Sequence, residues 1–306
     1  METSNGWTFS ADEISLKGLA NTIHSVSRKR VFDALRPGLE ADGNPRDRVH
    51  GIAEGLDGVC PADSDPSQVE QVLYDLWELL IAVVKVIPPE HQWHEILVGA
   101  LENLTARDGR IIQLDEVSFH HVNQDLHALL RITNAAQGPK HLWKDLPQFE
   151  QSLKEHWTDP TTDPRNFNLD KGKRWESLNS FVARLMSKGL GSYELFALTP
   201  MRHALEESVA RKELAECRLR TAMQWIIYSR GALFRSIVSP SGNAPAGRNA
   251  SVGSLYVGGE PGLSRSRWEF WKMRFGEIEK EKEGPLKAKI KEVIAMMEAA
   301  EYSPGP

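Results

Sequence analysis

Residues 216–228, Glu-Cys-Arg-Leu-Arg-Thr-Ala-Met-Gln-Trp-Ile-Ile-Tyr, decide the fold of this chain. On a helix that turns about 100° per residue, their apolar side chains occupy two opposite sides, which is typical of a central, buried helix. Glu216 and Arg218 fall among these apolar residues, and each needs a partner because an unpaired buried charge is costly. The sequence therefore predicts a buried helix over 213–238 whose charges serve either a structural ion pair or a polar site.

Helical periodicity continues on both sides of this helix. The other predicted helices cover 10–35, 66–87, 93–108, 117–132, 173–188, 193–210, 264–283 and a last segment from Pro285 onward. Residues 40–66 show little periodicity and are expected to form a loop, with or without one short helix. Residues 252–257 are a weak strand candidate, and sustained alternation of apolar and polar residues is missing elsewhere. The predicted fold class is all-α, a multi-helix bundle.

The chain has 306 residues, of which 41% are hydrophobic, so it is long enough to bury a sizeable core. We interpret it as a single all-helical domain, 1–306, either one large body or two intimately packed halves. The N-terminal helical half covers 10–135 and the C-terminal helical half covers 173–300. The connection 136–172 is expected to pack irregularly. The segment 239–262, rich in Gly, Pro and Ser, is expected to be a long loop, either an ordered lid or disordered.

Charge and cysteine content exclude several classes of protein. The 37 basic and 42 acidic residues give a net charge of -5, whereas a dedicated nucleic-acid binder usually carries a basic field. Two cysteines, Cys60 and Cys217, exclude a disulfide framework and predict a reducing compartment. The sequence also lacks a signal pattern and a run of ~18 apolar residues. It therefore predicts a cytoplasmic protein without a membrane span or a nucleic-acid partner, and it leaves the oligomeric state open.

Polar residues on buried helix faces are the candidates for catalysis. Arg218 and Tyr228 lie on the helix over 213–238, Asn179 lies inside the apolar stripe of 173–188, and His203 borders the stripe of 193–210. Groups of this kind in an apolar pocket suit acid, base or hydrogen-bond donor roles, with His203 as the acid or base. The alternative is structural, because buried charges are often simply paired and a buried Asn is hydrogen-bonded.

Aromatic residues at helical spacing are the candidates for substrate binding. Such a stripe is usually core, but it also suits the wall of a pocket for a flat apolar small molecule, with 239–262 as a lid. The predicted wall consists of Trp175, Trp225, Trp268 and Trp271, with Cys217 and Thr221 on the central helix.

Motifs for metals and cofactors are not found in the sequence. His91 and His94 are three residues apart, and His120, His121 and His127 form a loose cluster, but neither set has the His-Glu-x-x-His arrangement. The glycine-rich stretch 257–262 does not follow a strand, and neither a Walker-type loop nor a Gly-x-Ser-x-Gly elbow occurs. The sequence therefore predicts that the protein binds neither a metal nor a cofactor.

Several segments together resemble a family of fungal proteins of unknown function. These segments are Leu178–Leu185 after Trp175, Ala204–Glu206, Glu216–Trp225, Gly258–Phe275, and Pro88–His91 before a helix. The resemblance covers most of 66–275, and Pro200 departs from it where the family pattern continues a helix. It implies fungal origin, a helical fold and a cytosolic location without a defined activity. Some proteins of this kind are encoded beside specialised-metabolism genes.

Two function hypotheses follow. The leading hypothesis is a cofactor-independent cyclase or isomerase, including Diels–Alder-type ring closure, that acts on an apolar polyketide or terpenoid intermediate of fungal specialised metabolism. An aromatic pocket would hold the reactive conformer, and a side-chain donor would stabilise the transition state. The alternative is a non-enzymatic helical scaffold or adaptor, in which the same aromatic residues are core.

Overall fold

The structure, a computed structural model, describes residues 7, 16–60, 66–107, 109–112, 139–239 and 251–302. These residues form eleven α-helices, one 3-10 turn and one two-stranded sheet, so the predicted all-α fold class is confirmed. Among the helices of these ranges, none combines the length and the apolar composition that a membrane crossing requires. The start of the predicted helix over 10–35, the predicted helix over 117–132 and the three histidines within it lie outside the described residues.

The helices are α1 (Leu16–Ala20), α2 (Val26–Glu40), α3 (Pro45–Val59), α4 (Pro66–Lys85), α5 (Trp93–Thr105), α6 (Phe149–His156), α7 (Leu169–Ser187), α8 (Glu194–Leu205), α9 (Lys212–Val238), α10 (Arg265–Glu281) and α11 (Gly284–Tyr302). A 3-10 turn covers Pro160–Thr162, and strand β1 (Ile111–Ile112) pairs antiparallel with β2 (Lys140–His141). Side-chain caps set several helix starts: Ser25, Asn168 and Ser264 each accept a backbone N–H three residues ahead.

The N-terminal half differs from the predictions in two places. The predicted helix over 10–35 is interrupted after Ala20, because Ser25 caps a new helix, and that helix continues through Pro37 to Glu40. The segment 40–66, predicted to be a loop with or without one short helix, contains one helix, and this helix, α3, is 15 residues long. Asn44 caps α3 by accepting the Arg46 N–H, and Pro45 occupies the first helical position, where its missing N–H is not needed.

The C-terminal helices follow the predictions more closely. Helices α7, α9, α10 and α11 begin and end within a few residues of the predicted positions, and α9 is the central buried helix. Helix α8 ends at Leu205, five residues before the predicted end, and contains Pro200 in its interior. The strand candidate over 252–257 forms turns instead, with Tyr256 N–H donating to Gly253 O and Gly259 N–H donating to Tyr256 O.

The chain divides into two compact units. Unit 1 comprises Met1–Ile14, Val84–His94 and Trp157–Pro306, and unit 2 comprises Ser15–Val83 and Glu95–His156. In unit 1, α9 packs against α7, α8 and α11, while in unit 2, α2 packs against α3. All the predicted site residues lie in unit 1.

Candidate functional site

Trp175, Asn179 and Trp225 lie together in the core of unit 1. Trp225 donates its indole N–H to Asn179 Oδ1 (2.8 Å), and Asn179 Nδ2 donates to Trp175 O (2.8 Å). The ring of Trp157 packs edge-on against both indoles, with centroids 4.7 Å from Trp175 and 6.3 Å from Trp225. None of the three predicted site residues is more than 4% exposed. The polar side-chain atoms of Asn179 and the indole N–H of Trp225 are thus engaged within the protein.

This arrangement predicts a structural role for Asn179, which can be tested by measuring the free energy of unfolding. Asn179→Ala leaves the Trp225 indole N–H buried without its acceptor, so we expect the free energy of unfolding to fall by about 2 kcal/mol. Urea denaturation followed by circular dichroism measures this loss. Trp225→Phe removes the donor, so in the double variant the two losses should be less than additive. Strict additivity would contradict this role.

Cys217 and Thr221 lie one turn apart on α9, and both are buried. Thr221 Oγ1 donates to Cys217 O at 2.9 Å, within the helix. Burial, with the charges of Asp159 and Glu176, raises the pKa of the Cys217 thiol far above its ordinary value. The thiol therefore stays protonated at neutral pH, which does not suit a nucleophile.

Trp268 and Trp271 lie on α10 and have no exposed surface. Trp268 donates its indole N–H to Glu301 Oε1 on α11 at 3.1 Å. Trp271 donates to Glu206 Oε1 at 2.6 Å. The two indole N–H groups therefore donate to different carboxylates. Neither indole shares a hydrogen-bonding partner with Trp175 or Trp225.

Glu206 is the centre of a buried group that we call the Glu206 latch, formed by Glu206, Arg267, Trp271 and the backbone of Gly253. Arg267 donates through Nε to Oε1 (2.7 Å) and through Nη2 to Oε2 (3.0 Å), and Gly253 N–H also donates to Oε2 (2.8 Å). Arg267 and Glu206 are both fully buried. Arg267 further donates to the carbonyls of Ser251 and Gly262. The latch holds residues 251–262, the C-terminal part of the predicted loop over 239–262.

Tyr228 lies apart from these groups and contacts the segment Val84–His94. Its hydroxyl donates to Pro89 O at 3.3 Å. Ser180 Oγ and Arg184 Nη2 donate to the same oxygen at 3.1 and 2.7 Å, and the Arg184 guanidinium lies 3.4 Å from the Tyr228 ring centroid. Three donors therefore converge on one carbonyl and hold this segment within unit 1.

His203 and Arg218 are brought together beside the 3-10 turn. His203 Nδ1 lies 2.6 Å from Asp159 Oδ2, and Thr161 N–H donates to Asp159 Oδ1 at 2.8 Å. Arg218 donates to Thr161 Oγ1 (2.8 Å) and to His203 O (3.2 Å). Burial opposes ionisation of Asp159, but the hydrogen bonds from His203 and Thr161 and the charge of His203 outweigh it. The pKa of Asp159 is therefore held below its ordinary value.

Arg202 and Glu207 complete this group, which we call the Asp159–His203 cluster (Asp159, Thr161, Arg202, His203, Glu207 and Arg218). Arg202 Nη2 lies 3.1 Å from His203 Nε2, and both arginines contact Glu207. Because a guanidinium only donates, these contacts assign the proton of neutral His203 to Nδ1 and the lone pair to Nε2. The exposed side-chain fractions, 8% for His203, 18% for Arg202 and 30% for Glu207, show that the cluster reaches the surface.

Sequence reasoning missed Asp159, although the Asp-Pro-Thr-Thr stretch at 159–162 is a local signal for a capped turn. It also missed Glu176, which is 4% exposed and accepts a hydrogen bond from Gln224 Nε2 at 2.8 Å. Burial, together with the charges of Glu90 and Glu216, raises the pKa of Glu176 to about 7, against the opposing effects of Arg220 and of the hydrogen bond from Gln224. Gln224 Oε1 is buried without a hydrogen-bond partner among the described residues, so it is available to a protonated Glu176.

Comparison with known proteins gives one finding about identity. A family model described as "Protein of unknown function (DUF3632)" matches residues 77–275, more than half of the chain. This span includes all the predicted site residues, the Glu206 latch and the Asp159–His203 cluster. Neither a curated protein nor a solved structure matches the chain. The chain therefore belongs to the DUF3632 family of proteins of unknown function.

Proposed function

We propose that the protein is a cofactor-independent isomerase or cyclase in which His203 transfers the proton. The observation that carries this proposal is the 2.6 Å contact between Asp159 Oδ2 and His203 Nδ1, in a cluster that contains two arginines. A carboxylate on Nδ1 fixes the ring orientation and its tautomer, so that Nε2 serves as the base. The site proposed here is the Asp159–His203 cluster, which contains two of the predicted catalytic residues, His203 and Arg218. It contains none of the aromatic residues predicted to bind the substrate.

Arg202 controls access to the base. Its guanidinium lies against His203 Nε2, and it donates to Ser251 Oγ at 2.5 Å. His203 can accept a proton only after Arg202 has turned toward another acceptor. A carbonyl oxygen of the substrate is such an acceptor, so substrate binding both releases Nε2 and places a cation where negative charge develops.

The proposed reaction is a proton transfer within one substrate molecule. His203 Nε2 takes a proton from the carbon next to the carbonyl, Asp159 stabilises the imidazolium, and Arg202 with Arg218 stabilises the enolate oxygen. Return of the proton to a different carbon gives an isomer. Alternatively, the enolate carbon attacks one carbon of a C=C bond that is conjugated to a second carbonyl group of the same molecule, and a ring closes. The π electrons of that bond pass to its other carbon, which takes the proton back from His203. In both reactions, substrate and product have the same mass.

We keep a polyketide or terpenoid intermediate as the proposed substrate class, with one added requirement. Arg202 leaves His203 Nε2 only when another acceptor is present, so the substrate must carry a carbonyl group near the reacting carbon. A fully hydrocarbon substrate would leave Arg202 on His203 Nε2 and the base blocked.

The second candidate function is a helical scaffold or adaptor. It is favoured by the burial of Trp225, Trp268 and Trp271, whose indole N–H groups are all bonded to protein acceptors. It is also favoured by Leu255 and Val257, which are 38% and 89% exposed in the segment that the Glu206 latch holds. Such a fixed apolar turn offers contact area to a partner protein.

Deletion of the gene in the source organism, with mass-resolved metabolite profiling, tests the proposal. We expect a product to disappear and a compound of identical mass to accumulate, and we expect the wild-type gene to restore the product. With that compound as substrate, His203→Gln should lower turnover by about a hundredfold, because it removes the base. His50→Gln is the matched control, since His50 is exposed and lies in unit 2.

Three other outcomes of these experiments would contradict the proposal. Accumulation of a compound of different mass would reject the isomerase class. Full turnover by a folded His203→Gln variant would reject His203 as the base. An unchanged metabolite profile in the deletion strain would favour the scaffold.

A further inference from the structure

Unit 2 contains an open groove that the proposed reaction does not use. It has a volume of about 480 Å³ and lies between the start of α2, with the turn before it, and the middle of α4. This volume falls within the range of sites for small molecules. No residue that we place in the reaction lines it.

The charges at the groove balance each other. Arg28 Nε donates to Asp75 Oδ1 at 2.9 Å, and Ser25 Oγ donates to Asp75 Oδ2 at 3.3 Å. Asp75 is 4% exposed, so the pair forms a fixed part of the wall. A charged ligand would be attracted by one member of this pair and repelled by the other, whereas a neutral ligand leaves the pair intact.

The groove also offers polar groups beside an aromatic face. Gln71 lines the groove and is exposed. Tyr74 is 38% exposed. Burial and the charges of Glu78, Glu155 and Asp75 raise the pKa of its phenol, against the effect of Arg28, so its hydroxyl remains a donor at neutral pH. Val26, which is 72% exposed, adds apolar surface next to these groups.

We propose that this groove binds a neutral polyhydroxylated ligand, a sugar or a polyol. The Tyr74 ring provides a flat surface for the C–H face of such a ligand. Gln71 and the Arg28–Asp75 pair provide donors and acceptors for its hydroxyl groups. This site is independent of the proposed acid–base reaction, because every residue that forms it belongs to unit 2.

Saturation-transfer NMR on the full-length protein tests this site with three probes of one ring size: methyl glucoside, glucuronate and glucosamine. They are neutral, anionic and cationic at neutral pH. We expect the neutral glycoside to bind most tightly, and we expect Tyr74→Ala to weaken its binding by about tenfold, equivalent to the loss of one aromatic contact. Tyr302→Ala is the matched control, because Tyr302 is 90% exposed and lies in unit 1.

The other outcomes would overturn the proposal. Tighter binding of glucuronate would identify an anion site at Arg28, and tighter binding of glucosamine would identify a cation site. Equal binding of the glycoside by Tyr74→Ala would place its contact elsewhere on the protein. Absence of saturation transfer to all three probes would show that the groove does not take a sugar or polyol.

Discussion

Replacement of Arg267 by Met is expected to lower the free energy of unfolding by about 3–5 kcal/mol, because it leaves the Glu206 carboxylate buried without its cation. Both side chains are fully buried, and two guanidinium nitrogens contact the two carboxylate oxygens. Met retains most of the side-chain volume, so the loss reflects charge and hydrogen bonding more than a cavity. Urea denaturation at neutral pH, followed by circular dichroism, measures the loss.

The same helix supplies a matched control. Arg265 begins α10, its side chain is 65% exposed, and it pairs with Glu269 one turn later. Exposed pairs of this kind contribute at most about 1 kcal/mol, so Arg265→Met should change stability little. In a double variant, Glu206→Gln should recover part of the loss caused by Arg267→Met, because no buried charge then remains. Equal losses for Arg267→Met and Arg265→Met would contradict the role of the latch.

Hydrogen exchange tests the local effect of the same substitution. The amides of Gly253 and Leu255 donate to the side chain and the carbonyl of Glu206. Loss of Arg267 frees that carboxylate, so both amides should exchange faster than in the wild-type protein. Amides in the middle of α7 serve as the reference within the same molecule.

Replacement of Glu176 by Gln is expected to stabilise the protein at pH 8 by an amount on the order of 3 kcal/mol. In the folded protein the pKa of Glu176 is about 7, above its ordinary value of 4.5. Between these two values the folded state binds more protons than the unfolded state, so wild-type stability falls as pH rises. The Gln variant lacks this charge, and its amide can also donate to Gln224 Oε1, which has no hydrogen-bond partner among the described residues.

Unfolding curves at pH 4.5, 6 and 8 test this prediction. The difference between variant and wild type should be small at pH 4.5 and should grow with pH, most steeply below pH 7. Glu298→Gln is the control, because Glu298 is exposed on α11 and should change stability little at each pH. A difference for Glu176→Gln that is constant across the three pH values would rule out ionisation of Glu176 as its cause.

Local signals in the sequence account for much of the fold. Ser264 predicts the start of α10, and apolar periodicity predicts α7 and α9, because caps and helix faces depend on residues within a few positions. For the segment of α3 the sequence predicts at most one short helix. The three glycines of α3, Gly51, Gly55 and Gly58, weaken the helical pattern, although Asn44 and Pro45 mark its start. The sequence prediction also missed the end of the first helix at Ala20, because it did not identify Ser25 as the cap of a new helix.

The candidate site was less predictable than the fold, because periodicity assigns a residue to a helix face but does not identify its partner. Asp159 and His203 are 44 residues apart, and Glu206 and Arg267 are 61 apart. Glu216, predicted to be buried, instead pairs with Arg220 one turn away on the same helix and is 25% exposed. Asp159 and His203, like Glu206 and Arg267, come together only when the chain folds. A local sequence pattern does not identify residues so far apart as partners.

The hydrogen bonds to the carbonyl of Pro89 can form only late in the synthesis of the protein. Its three donors lie 91, 95 and 139 residues later in the chain, at Ser180, Arg184 and Tyr228. At a translation rate of about 5–20 residues per second, Pro89 is added to the chain roughly 7–28 s before Tyr228. Unit 1 can therefore close around Val84–His94 only near the end of translation. A gene fragment that begins at Trp157 would encode the three donors without the carbonyl that they share.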